Sequence, residues 1–308
     1  MRILVALGGN ALLRRGESAG ADAQRKNVEA AAEGLAAVAH EHELVITHGN
    51  GPQVGLLALQ SESCREVPPY PLDVFGAESE GMVGHMLGLA LRNALPDRDV
   101  VTVLTEVVVS PDDPAFLKPS KPIGPVYSAA EATRLAQERG WTVGRDGGDY
   151  RRLVPSPEPN AVAELRSLRV LIDSGALLIC VGGGGIPVTL DGAGTMRGVE
   201  AVIDKDLTAA LLARRLDAGL LLMLTDIAAV QLDWGTEKAR PLHATSPEEL
   251  RQFDFASGSM APKVEAACRF VEATGRRAAV GALADAERIV HGDAGTQVAS
   301  RDGGSPSA

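Results

Sequence analysis

The sequence predicts an α/β fold built on a mainly parallel sheet with helices on both faces. Three observations carry this. Short apolar runs alternate with helical patterns along most of the chain. Several of those runs stop in glycines, at Gly8-Gly9, at Gly49-Asn50-Gly51 and at Gly182-Gly183-Gly184-Gly185. Two lysines, Lys205 and Lys263, stand at the openings of helical patterns. In open α/β sheets ligands bind beyond the carboxyl ends of the strands, so loops and lysines fall where a site is expected.

Residues 3–7 form an apolar run halted by Gly8-Gly9-Asn10, the pattern of a buried strand. Two glycines there let backbone N–H groups approach a ligand closely, although an ordinary tight turn reads the same. An alanine-rich helix follows over residues 22–40. Residues 43–47 are the next strand, ending in His48-Gly49-Asn50-Gly51-Pro52-Gln53-Val54-Gly55. Glycines flanking an asparagine before a helix start make a nest of N–H donors suited to anionic oxygens. His48 is a candidate base, but the structural reading, a hydrogen-bonding residue at a strand end, is favoured. Residues 75–94 read as one long helix that contains Gly76, Gly81, Gly84 and Gly88. Each glycine costs about 1 kcal/mol against alanine, so close packing on another element is expected to offset them. β-branched residues mark 100–109 as a strand.

Over residues 111–159 prolines crowd in, around a small unit. It holds a helix with a capping box at Ser128 and Glu131, then strands near 141–143 and 151–154 joined by Arg145-Asp146-Gly147-Gly148-Asp149. This reads as an excursion from the main sheet, suited to a lid. Lys121 stands at its entrance between prolines, on a stiff stalk able to deliver an ammonium; a plain surface loop is the alternative.

A helix over 161–174, closed by Gly175, leads to the strand 177–181 and its four glycines. Four in a row are costly in entropy, which favours a phosphate-facing loop over a simple turn. The stretch 198–206 then runs from apolar residues into Asp204-Lys205-Asp206 and a helix. The positive end of the dipole repels Lys205, and a bound anion accounts for its place. The plain alternative makes Asp204 an N-cap and Lys205 a solvated first-turn residue. Strand 220–225 runs up to Asp226, and a hairpin over 230–242 turns at Asp233-Trp234-Gly235. A short helix over 247–252 carries a capping box at Ser246 and Glu249. Gly258-Ser259-Met260-Ala261-Pro262-Lys263 opens a helix to residue 274, with Pro262 in the favoured first turn. Residues 277–281 are a further strand, and 301–308 read as a disordered tail.

Composition removes several classes of function. A net charge of −10, 3% aromatics and no basic stripe disfavour nucleic-acid binding. Hydrophobic content of 45% suffices for a sizeable core, and 308 residues fit one large α/β unit or two lobes. No apolar run approaches the roughly 18–20 residues of a membrane span, and the first strand is too short and wrongly flanked for a secretory signal. Cys64, Cys180 and Cys268 are isolated and odd in number, which argues against disulfides or a cysteine metal cluster and for the cytoplasm. The lysines are only Lys26, Lys118, Lys121, Lys205, Lys238 and Lys263, against 30 basic residues in all. A compact ammonium on a flexible stem can follow a moving charge where a planar guanidinium cannot. The sequence holds no Walker loop, protein-kinase signature, dinucleotide fingerprint, serine elbow or zinc-hydrolase histidine pair.

Together the motifs resemble the amino-acid kinase superfamily, and within it the carbamate kinase family. The resemblance is carried by Ala6-Leu7-Gly8-Gly9-Asn10-Ala11, by the stretch from Thr47 to Gly55, by Lys121-Pro122-Ile123-Gly124-Pro125 and by Val154-Pro155-Ser156-Pro157. It continues through residues 182–187, 198–206 and 258–263, in consistent order over nearly the whole chain. It implies an open αβα sandwich with a protruding subdomain at about 111–159. The N-terminal lobe, 1–195, would take carbamate and the C-terminal lobe, 196–308, the nucleotide. The implied activity is reversible phosphoryl transfer between ATP and carbamate, with Mg²⁺ arriving on the nucleotide, no metal held by the protein itself, and a homodimeric assembly. Relatives such as acetylglutamate kinase carry a lysine in the first loop, as K-x-G-G; here that place is Ala6-Leu7-Gly8-Gly9, and Lys205 supplies the charge. His85 stands where similar sequences often have tyrosine.

Carbamate is already an anion, so the reaction needs positioning and charge neutralisation rather than a general base. The resemblance accordingly implies that Lys205 and Lys263 contact phosphates, that Lys121 arrives from the protrusion and that Asp206 orients the lysines. Gly8, Gly9, Asn10, Gly49, Asn50 and Gly51, with Gly183 and Gly184, would hold carbamate and the γ-phosphate. Thr225, Asp226, Gly258 and Met260 would border the nucleotide beside Lys263. Two rival readings are a catalytically silent nucleotide or metabolite sensor and a kinase for a larger carboxylate. No charged motif residue is missing, which weighs against the sensor.

Overall fold

The computed structural model describes residues 1–13, 17, 20–64, 66–255 and 260–301, with Asn10 and Ala11 described in backbone only. All of the expected tail over 301–308 except Arg301, and the segment 256–259 that includes Gly258, lie outside the described residues.

A central eight-stranded sheet runs in the order Ala244–Thr245, Thr296–Val298, Arg277–Ala282, Leu220–Thr225, Arg2–Leu7, Glu43–His48, Leu177–Ile179, Val100–Thr102. Neighbours are parallel except Arg277–Ala282 with Thr296–Val298. The two middle strands read RILVAL and LLLMLT, the near-continuous apolar runs of strands covered on both faces. Alternate residues serve opposite faces. Leu4, Ala6, Leu221 and Met223 join Leu212 and Phe270 in one core, whereas Ile3, Val5, Leu220 and Leu222 join Leu35, Leu87 and Leu91 in the other. Each such fully buried Leu, Ile or Val stabilises the fold by roughly 1.5–3 kcal/mol. This is the mainly parallel, doubly covered sheet that the alternation of runs predicts.

The helices Lys205–Arg215 and Met260–Thr274 pack against each other on one face. The helices Ala21–Glu41 and Leu72–Ala94 cover the other. Close packing does offset two of the glycines in Leu72–Ala94: a methyl on Gly84 would lie 2.6 Å from Thr102 Cγ2, and Gly88 faces the same threonine. His85 is on the exposed side of that helix.

Three expectations need correction. The stretch 100–109 is two strands: Val100–Thr102 ends the central sheet, and Glu106–Val109 joins a second sheet with Met196–Gly198, Ile186–Leu190 and Ala161–Val162. Residues 161–162 therefore form a strand, and the following helix is only Leu165–Asp173, closed as expected near Gly175. Lys121 is neither on a proline stalk nor in a loop. It begins the strand Lys121–Tyr127, which flanks Asp149–Val154 in a three-stranded sheet completed by Thr142–Asp146. Pro122 and Pro125 are tolerated because that strand lies at the sheet edge, where a missing N–H breaks no necessary ladder bond. The hairpin and the capping box at Ser128 form as expected. Among the described residues no helix is long and apolar enough to cross a membrane.

Candidate active site

A cleft of about 930 Å³ opens where the central strands end, within the usual size range of small-ligand sites. Its floor is built from strand-end loops, its one wall from the first turns of the two lysine-bearing helices, and its rim from the strand that starts at Lys121.

Asp204 caps the helix Lys205–Arg215, its Oδ1 accepting the Asp206 N–H at 2.9 Å. The N-cap reading of Asp204 is correct, yet Lys205 is not solvated. Its Nζ donates to Asp206 Oδ1 at 2.6 Å, and Lys263 Nζ donates to Asp206 Oδ2 at 2.9 Å. Asp206 and Lys263 are buried, and the Lys205 side chain is only 11% exposed. Burial by itself pushes the Asp206 carboxyl up, but the two ammoniums outweigh it and hold the group well below the usual carboxylate range. Burial also draws the Lys205 ammonium below its ordinary value, with Asp206 opposing that and Lys263 reinforcing it. Lys121 Nζ is tied to Asp204 Oδ2 at 2.6 Å. Two ammoniums thus share one buried carboxylate at the positive ends of two helices. The cluster is one negative charge short, and an anion in the cleft would complete it.

Facing the cluster are the glycine loops. Gly8, Gly9, Gly49, Asn50, Gly51 and Gly183 line the cleft, as do Thr225, Asp226 and Met260. Asn10 lies in the turn Gly9–Leu12, with its side chain outside the described residues, as Gly258 is. Gly184 is the exception among the described candidates, for it sits behind the cleft wall: a methyl there would meet Ile203 O at 2.6 Å. Its lack of a side chain lets the 203–205 backbone close in rather than opening space for a ligand.

The turn Gly182–Gly184 is held in an unusual backbone. Gly183 has φ +67°, and the preceding Val181, β-branched, has φ +55°, a genuine outlier for such a residue. Neighbours over-determine it, as such strain requires. Thr47 Oγ1 donates to Val181 O at 2.7 Å, Thr105 Oγ1 accepts from Val181 N at 3.2 Å, and Thr208 Oγ1 donates to Gly184 O at 3.0 Å. His48 is fully buried off the cleft, and burial pushes its imidazole down to about 4. The ring is neutral, with Nδ1 3.2 Å from Gly49 O, which favours the structural reading over the catalytic one.

The cleft also holds residues that no motif in the sequence marks. Trp234, Phe253 and Phe255 line it. The signal was available, because few aromatics exist in the chain and three of them cluster within 22 positions on loops. Among the described residues no group of three or more His, Cys, Asp or Glu side chains is arranged to hold a metal ion.

Fold and site define a phosphate-handling α/β enzyme scaffold whose cationic centre sits at strand ends. The sequence profile of the amino acid kinase family matches residues 1–281. A carbamate kinase of Rhizobium meliloti is 52% identical over 303 residues, covering 97% of this chain and 94% of that protein. One of Haemophilus influenzae is 51% identical, covering 99% and 98%. Among solved structures, a carbamate kinase from Giardia lamblia bound to AMP-PNP superposes with a TM-score of 0.89 at 38% identity, covering 97% of this chain and 98% of that one. The chain belongs to the amino acid kinase family and, within it, to the carbamate kinases.

Proposed function

We propose that the protein catalyses reversible phosphoryl transfer between ATP and carbamate, giving ADP and carbamoyl phosphate. One observation carries the reading: Lys205 and Lys263 share the single carboxylate of Asp206 inside a cleft walled by N–H-rich glycine loops. In the forward direction a carbamate oxygen forms a bond to the γ-phosphorus while the bond from that phosphorus to the β-γ bridging oxygen breaks, leaving its electrons on ADP. Carbamate needs no deprotonation, and charge spreads over the transferring oxygens. Lys205 and Lys263 neutralise that charge, and Asp206 keeps both ammoniums aimed at it. Lys121 reaches the same space from the rim. Gly9, Asn10, Asn50, Gly51 and Gly183 hold the acceptor and the transferred group with backbone N–H donors, whereas Gly8 and Gly49, whose N–H groups bond Leu224 O and Leu7 O, serve by letting the loops approach closely. Thr225, Asp226 and Met260 border the nucleotide, with Trp234 offering a face for the base.

Mg²⁺ fits this cleft as the companion of the nucleotide. Both oxygens of Asp206 are already engaged by ammoniums, so the ion would be held chiefly by phosphates and water, where it neutralises their charge. Residues 1–195 form the acceptor lobe in this reading and 196–308 the nucleotide lobe, with 111–159 as the protrusion. We assign the protein to the cytoplasm, which suits its free, buried thiols Cys180 and Cys268. A homodimer is supported by the open sheet edge at Val100–Thr102, beside the exposed Leu89 and Leu104; light scattering on the purified protein reads the assembly directly.

The activity is tested by mixing the protein with ADP, Mg²⁺ and carbamoyl phosphate and measuring ATP. ATP is expected to form, with acetylglutamyl phosphate giving none. Binding of ADP without turnover of any acyl phosphate would instead support a sensor, and the proposal would fall.

A further inference from the structure

The helix Leu72–Ala94 carries a buried acid that the proposed chemistry does not use. Glu80 is 1% exposed, and its neighbour Ser79 is fully buried. Ser79 Oγ accepts from Asn50 Nδ2 at 2.8 Å. Glu80 Oε1 accepts the Gly182 N–H at 2.7 Å, and Oε2 accepts the Thr105 N–H at 3.2 Å. Adjacent residues of one rigid helix therefore grip both loops of the acceptor wall. Those loops also touch each other, since a methyl on Gly183 would lie 2.0 Å from Asn50 Nδ2. The His48 ring and Glu80 Cγ press on Gly182 from the same side, within 2.5 Å and 2.9 Å of where its Cβ would be. Unlike the threonines that hold Val181, Glu80 accepts with both of its oxygens, so one side chain ties the first glycine of the turn to the backbone at Thr105.

We propose that Glu80 is a positioning residue: acting with Ser79, it fixes the placement of Gly183 against Asn50 and so sets how tightly the carbamoyl group is held, without touching it. This rests on the activity proposed above. Burial is what makes the arrangement expensive. It pushes the Glu80 carboxyl up to about 8 against the two N–H bonds that pull the other way. An apolar side chain at this place on the helix would avoid that cost, so the acid is explained by the amide it holds.

The test compares steady-state kinetics of the whole protein with Glu80 replaced by Gln, Asp and Met, in the direction from ADP and carbamoyl phosphate. Glu80→Gln retains an oxygen for Gly182 and is expected to keep KM for carbamoyl phosphate within about twofold of the parent. Glu80→Met fills similar volume without an acceptor and should raise that KM about tenfold while leaving KM for ADP unchanged. Glu80→Asp, too short to span both amides, should fall between them; it decides the matter if the Met variant does not fold. Equal KM for carbamoyl phosphate in the parent, Asp and Met proteins overturns the assignment, as does a parallel rise in both KM values, which a purely structural role would produce. An inactive parent protein would refute the proposed activity itself, a failure distinguishable from either of these.

Discussion

Lys263 Nζ lies 2.9 Å from Asp206 Oδ2, joining the first turns of two helices 57 residues apart in the chain. Neither helix gains from its own lysine, since each ammonium sits at the positive end of a dipole. The carboxylate makes the placement tolerable, and its removal should be felt in both stability and turnover.

Asp206→Asn takes away the shared charge and leaves Lys205 and Lys263 buried and repelling each other. Breaking a buried ion cluster in this way costs roughly 3–5 kcal/mol, read as a lower urea midpoint. Turnover should fall at least about a hundredfold. The parent cluster should also resist acid. Because the folded-state value of Asp206 lies below the unfolded one, its contribution is present above the ordinary carboxylate range and is lost only as pH drops through the depressed folded value.

Lys121 is half-exposed and bonded to Asp204 rather than to the central carboxylate. Its removal should therefore be milder. Lys121→Ala is expected to lower the melting temperature only slightly, because Asp204 keeps its bond from the Asp206 N–H and the lysine end of the pair is open to solvent. It should cut kcat about tenfold by withdrawing one cation from the rim. A loss as deep as that of Asp206→Asn would place Lys121 in the central cluster instead.

The buried acid predicts an unusual pH dependence. Glu80 has a folded-state value near 8, above that of the unfolded chain. The folded protein then binds the extra proton, so stability is fully present at low pH and declines as pH rises toward 8. His48, lowered to about 4, works oppositely, but only below about 6.5, where the unfolded imidazole is protonated. Between pH 6.5 and 8 Glu80 acts without it. Urea unfolding across that window should show stability decreasing by up to about 1.4 kcal/mol per pH unit, and Glu80→Gln should flatten the slope.

Much of the central sheet is legible in the sequence because its middle strands are buried on both faces, and three of them run into glycine loops at Gly8, Gly49 and Gly182. The runs at Ile3 and Leu220 need no partner to be recognised. The break inside 100–109 is hidden for the same reason. β-branched residues continue through it, and only the tertiary arrangement sends Thr102 and Glu106 into different sheets. The strand at Lys121 is masked by its prolines, which matter less at an edge than propensity suggests. As for the cleft, the charged motif residues were readable from their placement at helix starts, whereas Gly184 resembled its neighbours and only packing sets it apart. Glu80 left a fainter trace: it shares a helical stripe with Gly76, Val83, Gly84 and Leu87, at spacings of three, four and seven, and an acid on such a stripe is seldom solvated.

The most direct measurement is the pair of variants Lys205→Ala and Lys263→Ala, assayed for ATP formation from ADP and carbamoyl phosphate beside calorimetric titration with ADP. Each should lower kcat at least about a hundredfold while weakening ADP binding by less than about tenfold. Unchanged turnover in both, or losses confined to ADP affinity, would contradict the role of these ammoniums at the transferring phosphoryl group.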